Sequence, residues 1–396
     1  MTGRLFRALK ARLRPPKFPA ARIGAVQLDD MAEPVADEAE LVRSARPVAF
    51  CEILPQSGEI LSPAFLLGDA PLFEPGPHIV PPARLYRVRG ETRIFGKGLF
   101  VRDGALVLLD ALKFYELGRL DYPVHRLSVT VTGQEAVARM PAGTRRIAGP
   151  CLYLAQGGEA VWGHWLVDIL PRLALARRLP IRLPVILDSD RPSWVVPLLR
   201  HCGVRPSQVV WHDKFRETLV VDDLYVPTFL RLGNVFSPLA ERGWDPVPAR
   251  AGAARLYVSR SRLRTGSSLA NAAEIEGIAR EGGYRVVHPE RLGVAAQVEL
   301  FGGAASVVGE GGSAMHNTVF SPAGTRVAVL QAADDHRFVQ AGIGSRRGQP
   351  TGFVFGSASE GGRFHLPPEL FREALRRMAD PPSFRGAEGE PGTHKR

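Results

Sequence analysis

Residues 305–320 read ASVVGEGGSAMHNTVF. The small and β-branched residues at the start of this stretch predict a buried strand, and the residues that follow Ser313 predict a helix. Between them lies Gly309-Glu310-Gly311-Gly312-Ser313, a tight strand-to-helix turn. Open α/β sheets bind ligands at the carboxyl ends of their strands. A glycine-rich turn there lets backbone N–H groups approach phosphate oxygens where the helix dipole favours anions. The spacing is neither the G-x-G-x-x-G dinucleotide fingerprint nor the G-x-x-x-x-G-K-[ST] loop. Glycines that serve only the bend therefore stay open as the alternative.

Working outward, strands expected at 255–259, 284–288, 305–308 and 326–330 alternate with helical spans near 270–281, 294–302 and 313–320. Such repetition predicts a parallel, doubly wound sheet with helices on both faces. Upstream, the same alternation recurs, with strands at 151–155, 183–187 and 208–211 and helices at 161–178 and 191–201. The Pro- and Gly-rich stretch 227–253 reads as the joint between two units. From 46 to 140, apolar runs such as 84–88, 99–102 and 105–109 are separated by turn signals such as Asp103-Gly104, which predicts strands and hairpins. Residues 18–45 lack sustained periodicity and read as a linker or irregular lead-in, and the chain from 380 onward reads as a disordered end. The expected organisation is a basic segment and linker over 1–45, a β-rich segment over 46–150, Rossmann-like units over 151–250 and 251–380, and a tail over 381–396.

At 396 residues the chain exceeds one ordinary core, and 45% hydrophobic with 23% charged residues is the balance of a folded globular protein. No run of about 18 apolar residues occurs, which excludes a spanning helix. Pro15-Pro16 interrupts the N-terminal region before an apolar run of signal-peptide length, so secretion by that route is not expected. Cys51, Cys151 and Cys202 are far apart and form no Cys-x-x-Cys, although His201 adjoins Cys202. The expectation is buried free thiols, a reducing compartment and no structural zinc. The net charge of +11 raises nucleic acid, anionic lipid and phosphorylated small molecules as partners. Arg4, Arg7, Lys10, Arg12, Arg14 and Lys17 carry six of those charges with no acid among residues 1–17. Leu5, Phe6, Leu9 and Leu13 gather on one helical face of that segment, which suits a helix on an anionic membrane surface or, alternatively, a solvated basic tail. Aromatics are thin in the β-rich segment, and no specific nucleic-acid partner is expected.

Three further groups of residues point to chemistry. His164 and Asp168 stand four residues apart in GHWLVDILPR (163–172), on one helical face. A histidine oriented by a carboxylate is a competent general base near neutral pH, and a surface ion pair is the bland alternative. Pro171 should interrupt or kink the helix one turn later. Arg260 and Arg264 follow the strand 255–259 and could hold a diphosphate bidentately, or be solvated surface. Asp188 and Asp190 end another strand, a pairing that can hold a divalent cation. Arg191-Pro192 beside them suits instead a helix start capped by Asp190.

In this order and spacing, GHWLVDILPRL (163–173), LYVSRSRLR (256–264), NAAEI (271–275), Gln297 in AAQVELF and GEGGSAMHNTVF (309–320) resemble glycosyltransferase family 61, which includes capsular polysaccharide enzymes. The resemblance covers roughly residues 150–332 and implies two facing Rossmann-like units in the GT-B arrangement. It also implies an inverting transfer from a nucleotide-sugar donor to a glycan or lipid-linked glycan hydroxyl, without a metal or other cofactor. It assigns His164 or Asp168 as base, with Arg172 and Gln297 in support. Arg260, Arg264, Gly309, Glu310, Gly311, Gly312, Ser313, His316 and Asn317 would face the donor. Many members carry a His-Gly pair in the turn where this chain has Gly311-Gly312. A cytoplasmic enzyme, peripheral on the inner membrane face, is the expected setting. A catalytically inactive assembly scaffold and a nicotinamide-dependent oxidoreductase are the competing classes, the latter without its fingerprint.

Overall fold

The computed structural model describes residues 20–69, 71, 73–96, 99–109, 129–132, 135–154, 158–214, 216–244, 252–263 and 268–379. The basic segment 1–17, Arg264 and the tail 381–396 lie outside the described residues. The chain is a mixed α/β protein built on two large sheets.

In the second half, the strands Arg285–Val287, Ala254–Val258, Ala304–Glu310, Arg326–Gln331 and Thr351–Phe355 lie side by side in that order, every neighbour parallel. These strands are runs of Val, Leu, Ala and Phe with few polar residues, because a parallel sheet is covered on both faces. The helices Ala272–Glu281, Val294–Gly302, Val339–Arg347 and Pro368–Ala379 pack on it. In the ten-residue Ala272–Glu281, Ile275 and Ile278 are buried. At about 2 kcal/mol for each such side chain, packing rather than propensity sustains so short a helix. The sheet is completed at its edge by Phe65–Leu67, a parallel partner of Thr351–Phe355 supplied from far upstream.

The other sheet has thirteen strands among the described residues. Its spine is Glu217–Pro227, which pairs antiparallel with the long strand Ala83–Phe95 on one side and parallel with Gly143–Ile147 and Cys151–Tyr153 on the other. Beyond Cys151–Tyr153 come the parallel strands Val185–Asp188 and Val209–His212. The hairpins expected downstream of residue 46 thus join the same sheet as the parallel strands. Residues 20–43 correct the expectation of an irregular lead-in. Ala20–Gln27 is a strand between Glu135–Arg139 and Ala105–Leu108, and Glu38–Arg43 is a helix capped by Asp37. Its pairing partners lie some 80 to 119 residues away, so no local period announces it.

A single apolar cluster runs from Leu152, Trp165, Leu166 and Leu170 to Leu256, Val258, Val307 and Phe353, joining the two sheets' cores. Cys51, Cys151 and Cys202 are buried free thiols, as expected, and burial pushes Cys151 and Cys202 up to about 11. Among the described residues no helix is long and apolar enough to cross a membrane.

Candidate active site

The expected helix at 161–178 is present over residues 162–176, but it is not uniform. Trp162–His164 and Leu170–Ala176 are α-helical, and Trp165–Ile169 between them is a π turn. Pro171 supplies the reason. It has no N–H to give to the carbonyl four residues back, and its ring collides with that turn. The ladder slips by one residue, so that the Leu170 N–H bonds to the carbonyl of Trp165. The carbonyl of Leu166, released by the slip, accepts instead from Trp244 Nε1 at 2.7 Å. Gly243 permits this approach, since a Cβ there would lie 2.6 Å from the backbone at Leu170 and Pro171. Such π insertions are frequent at functional sites.

The slipped turn carries the pair singled out in the sequence. His164 Nδ1 lies 2.7 Å from Asp168 Oδ2. The imidazole is 28% exposed and the carboxylate 4%, so the pair is partly sunk rather than a solvated surface contact. A residue that the sequence reading passed over completes it. Arg231 donates from Nε to Asp168 Oδ1 at 2.8 Å and from Nη2 to Oδ2 at 3.2 Å. Burial alone would raise the Asp168 pKa, but the Arg231 charge and the bonds from His164 and Arg231 outweigh it and hold the carboxyl far below its ordinary range. Arg231 sits in the stretch read as a joint. The available signal was Gly233-Asn234 flanked by apolar Leu232 and Val235, a two-residue hairpin signature. The hairpin forms, with Arg231–Leu232 paired to Val235–Phe236.

Directly against this helix lies the glycine-rich turn. A Cβ on Gly163 would stand 2.8 Å from Ser313 Oγ and 2.9 Å from His316 Cδ2. The two motifs, about 150 residues apart in sequence, are in van der Waals contact only because residue 163 has no side chain. His316 is partly buried, and desolvation pulls its imidazole down to about 4, so it is neutral at pH 7. Its Nδ1 lies 3.3 Å from Gln340 Oε1. The residues after the turn form a 3-10 helix, Met315–Phe320, in place of the expected α-helix. Asn317 and Thr318 there turn their polar groups sideways, and Pro322 follows at once.

The remaining expected site residues divide into two groups. Arg260 reaches the turn, since a Cβ on Gly312, whose φ is 143°, would fall 2.0 Å from Arg260 Nη1. Gly311 N–H bonds back to the carbonyl of Leu330, while Gly309 is needed for sheet packing because a Cβ would meet the Val258 carbonyl oxygen at 2.4 Å. The second group serves the fold around the site. Glu310, buried, accepts from the backbone N–H groups of Arg260 and Leu269 at 2.7 and 2.8 Å, which shapes the loop that presents Arg260. Asn317 accepts from Trp162 Nε1 and donates to Gln297, which in turn donates to the Leu292 carbonyl. These two side-chain amides and the indole bolt the helix to the turn. Arg172 is fully buried and donates to the carbonyls of Tyr153, Leu154 and Pro227, closing the carboxyl ends of two strands.

The acidic pair at 188–190 has a structural place. Asp188 is buried in an ion pair with Lys214 and also accepts from the Asp190 N–H at 2.9 Å. Asp190 caps no helix, because the next one, Val195–His201, starts after Trp194. Among the described residues, no three of His, Cys, Asp and Glu gather as a metal cluster.

The carboxylate-oriented imidazole thus sits one residue from Gly163, which packs against a glycine turn at a parallel strand's carboxyl end, with the Arg260 guanidinium beside that turn. The glycosyltransferase 61 family matches residues 162–328, a span holding the dyad, the Arg231 hairpin and the whole turn. Over that span, a little under half of the chain, the protein is similar to glycosyltransferase family 61, which supports a glycosyltransferase. No curated protein matches the chain.

Proposed function

We propose that the protein is an inverting glycosyltransferase of GT-B-like arrangement, moving a sugar from a nucleotide-sugar donor to a hydroxyl of a glycan or lipid-linked glycan in bacterial surface polysaccharide synthesis. The observation that carries this reading is the contact of the His164–Asp168 pair, through Gly163, with the turn 309–313. The donor diphosphate would lie over that turn beside Arg260, and Arg264 follows four residues later in the sequence. His164, with Nδ1 held by Asp168, carries its basic lone pair on Nε2 in the neutral tautomer. That atom takes the acceptor proton as the acceptor oxygen bonds to the anomeric carbon and the bond from that carbon to the diphosphate oxygen breaks. The charge gathering on the departing diphosphate is met by Arg260, a fixed cation in the place a metal takes elsewhere. Asp168 is the weaker choice of base, since both oxygens are bound and its pKa is strongly depressed.

Thermal shift against UDP, GDP, CMP and NAD, each with and without EDTA, tests the donor reading. One nucleoside diphosphate should stabilise the protein, with no effect of EDTA, and Arg260→Ala should lose the shift. Stabilisation by NAD alone, or a shift that EDTA removes, would replace this reading. His164→Ala should keep the shift and lose transfer about 100- to 10,000-fold. A His164→Ala protein of full activity ends the base assignment. The setting proposed is the cytoplasmic face of a membrane, held by residues 1–17, and deletion of that segment should abolish sedimentation with anionic liposomes.

A further inference from the structure

The residue that completes the pair arrives from an unexpected direction. Gly233 takes the positive φ, 55°, that a II′ hairpin turn puts at its first position, and so brings Arg231 back over the helix 162–176. Arg231 donates from Nε and Nη2 to Asp168 and from Nη1 to the carbonyl of Gly233, at 2.8 Å, in its own turn. The hairpin is in turn seated on the other half of the molecule. Asn234 Oδ1 accepts from the Phe338 N–H at 3.0 Å, just before the helix Val339–Arg347. On that helix a Cβ at Gly342 would fall 1.8 Å from the Asn234 carbonyl oxygen.

We infer that Arg231 is a positioning residue for the transfer, and that the helix Val339–Arg347 sets its place: a two-point grip on Asp168 aims the carboxylate at His164 and shares its charge. The inference rests on the reading of His164 as base. A planar fork matches both carboxylate oxygens, which a lysine ammonium cannot do. Among the described residues, charged and titratable groups face His164 from several elements. Asp168 comes from its own helix, Arg231 from the hairpin and His316 from the turn that follows the glycines. Glu159 lies in the loop under the ring, where a Cβ on Gly158 would meet His164 Cγ at 2.7 Å. Removing the fixed positive charge of Arg231 leaves this group more negative, so a proton binds the His164–Asp168 pair more readily. The pair's titration, and the acid limb of the rate profile, must then move to higher pH.

The test is an NMR titration of the His164 side chain in the intact protein, beside the pH profile of kcat for transfer. Arg231→Gln should raise the His164 midpoint and the acid limb together by about one unit. Arg231→Lys, which keeps the charge but not the fork, should leave the midpoint near that of the parent while kcat falls. Gly342→Ala, which displaces the hairpin from a distance, should move the midpoint in the Arg231→Gln direction by less. An unchanged His164 midpoint in folded Arg231→Gln overturns the inference. Should Arg231→Gln fail to fold, a Gly342→Ala protein with an unmoved midpoint and kcat does so instead. A midpoint that moves while the rate profile stays leaves the grip intact and removes His164 as base, so the two failures are distinguishable.

Discussion

The helix 162–176 and the turn 309–320 meet at Gly163, yet they bury polar groups by opposite means. On the helix side every buried charge has a partner: Asp168 holds His164 and Arg231, and Arg172 has three carbonyls. On the turn side His316 is partly buried and kept neutral by desolvation, and Glu310 is met by backbone N–H groups rather than by an ion pair at its oxygens. A compensated charge costs little until a partner is removed. An uncharged buried titratable group costs nothing until the pH falls to where its unfolded counterpart gains a proton. The helix side should therefore respond chiefly to substitution, and the turn side to acid.

The largest expected effect is at Arg172. Arg172→Met leaves the carbonyls of Tyr153, Leu154 and Pro227 buried and unpaired, for a loss of about 4 kcal/mol in denaturant unfolding. A loss under about 1 kcal/mol would mean that water reaches those strand ends and that the helix side is less closed than its contacts imply.

His316 gives the acid test. Its folded pKa, about 4, lies below the unfolded value near 6.5, so the unfolded chain binds the extra proton and stability falls as pH drops between those values. The contribution is of the order of 3 kcal/mol across that window, and His316→Gln should flatten it in melting curves taken from pH 7 to pH 4. Asp168 follows the same sign in a lower window. Its depressed pKa contributes stability that is present above about pH 4 and is lost only as pH falls through the folded value. Equal slopes in wild type and His316→Gln across the window would erase the contrast between the two sides.

A smaller effect tests the seam itself. Gly163→Ala puts a methyl within 3 Å of Ser313 and His316, and should cost about 2 kcal/mol and lower transfer activity. Activity preserved at unchanged stability would show that the sides separate in solution. Smallest is Trp244→Phe, which removes the donor to the Leu166 carbonyl released by the π turn and should cost about 1 kcal/mol in a thermal melt.

Much of this was legible in the chain. The run of β-branched residues into Gly309-Glu310-Gly311-Gly312 announced a parallel strand and its turn, and the four-residue spacing of His164 and Asp168 announced their contact, because both rest on local geometry. Pro171 announced an interrupted helix by the same logic. Arg231 was not legible as a site residue, since nothing in RLGNVF says which helix its hairpin will cross. Nor could the sequence separate Arg260, which reaches the turn, from Glu310, Asn317, Gln297 and Arg172, which hold the surroundings in place. A motif states which residue types are present, whereas their division into ligand-facing and fold-holding groups depends on what each side chain touches.

The alternation of strands and helices, the turn and the dyad were thus determined by the sequence itself, through periods and spacings acting over a few residues. The seating of the dyad on the turn through Gly163, the grip of Arg231 and the partial burial of His316 were decided only by the tertiary structure. Each joins residues tens to about 150 positions apart, and no local rule of steric fit or hydrogen bonding reaches that far along a chain.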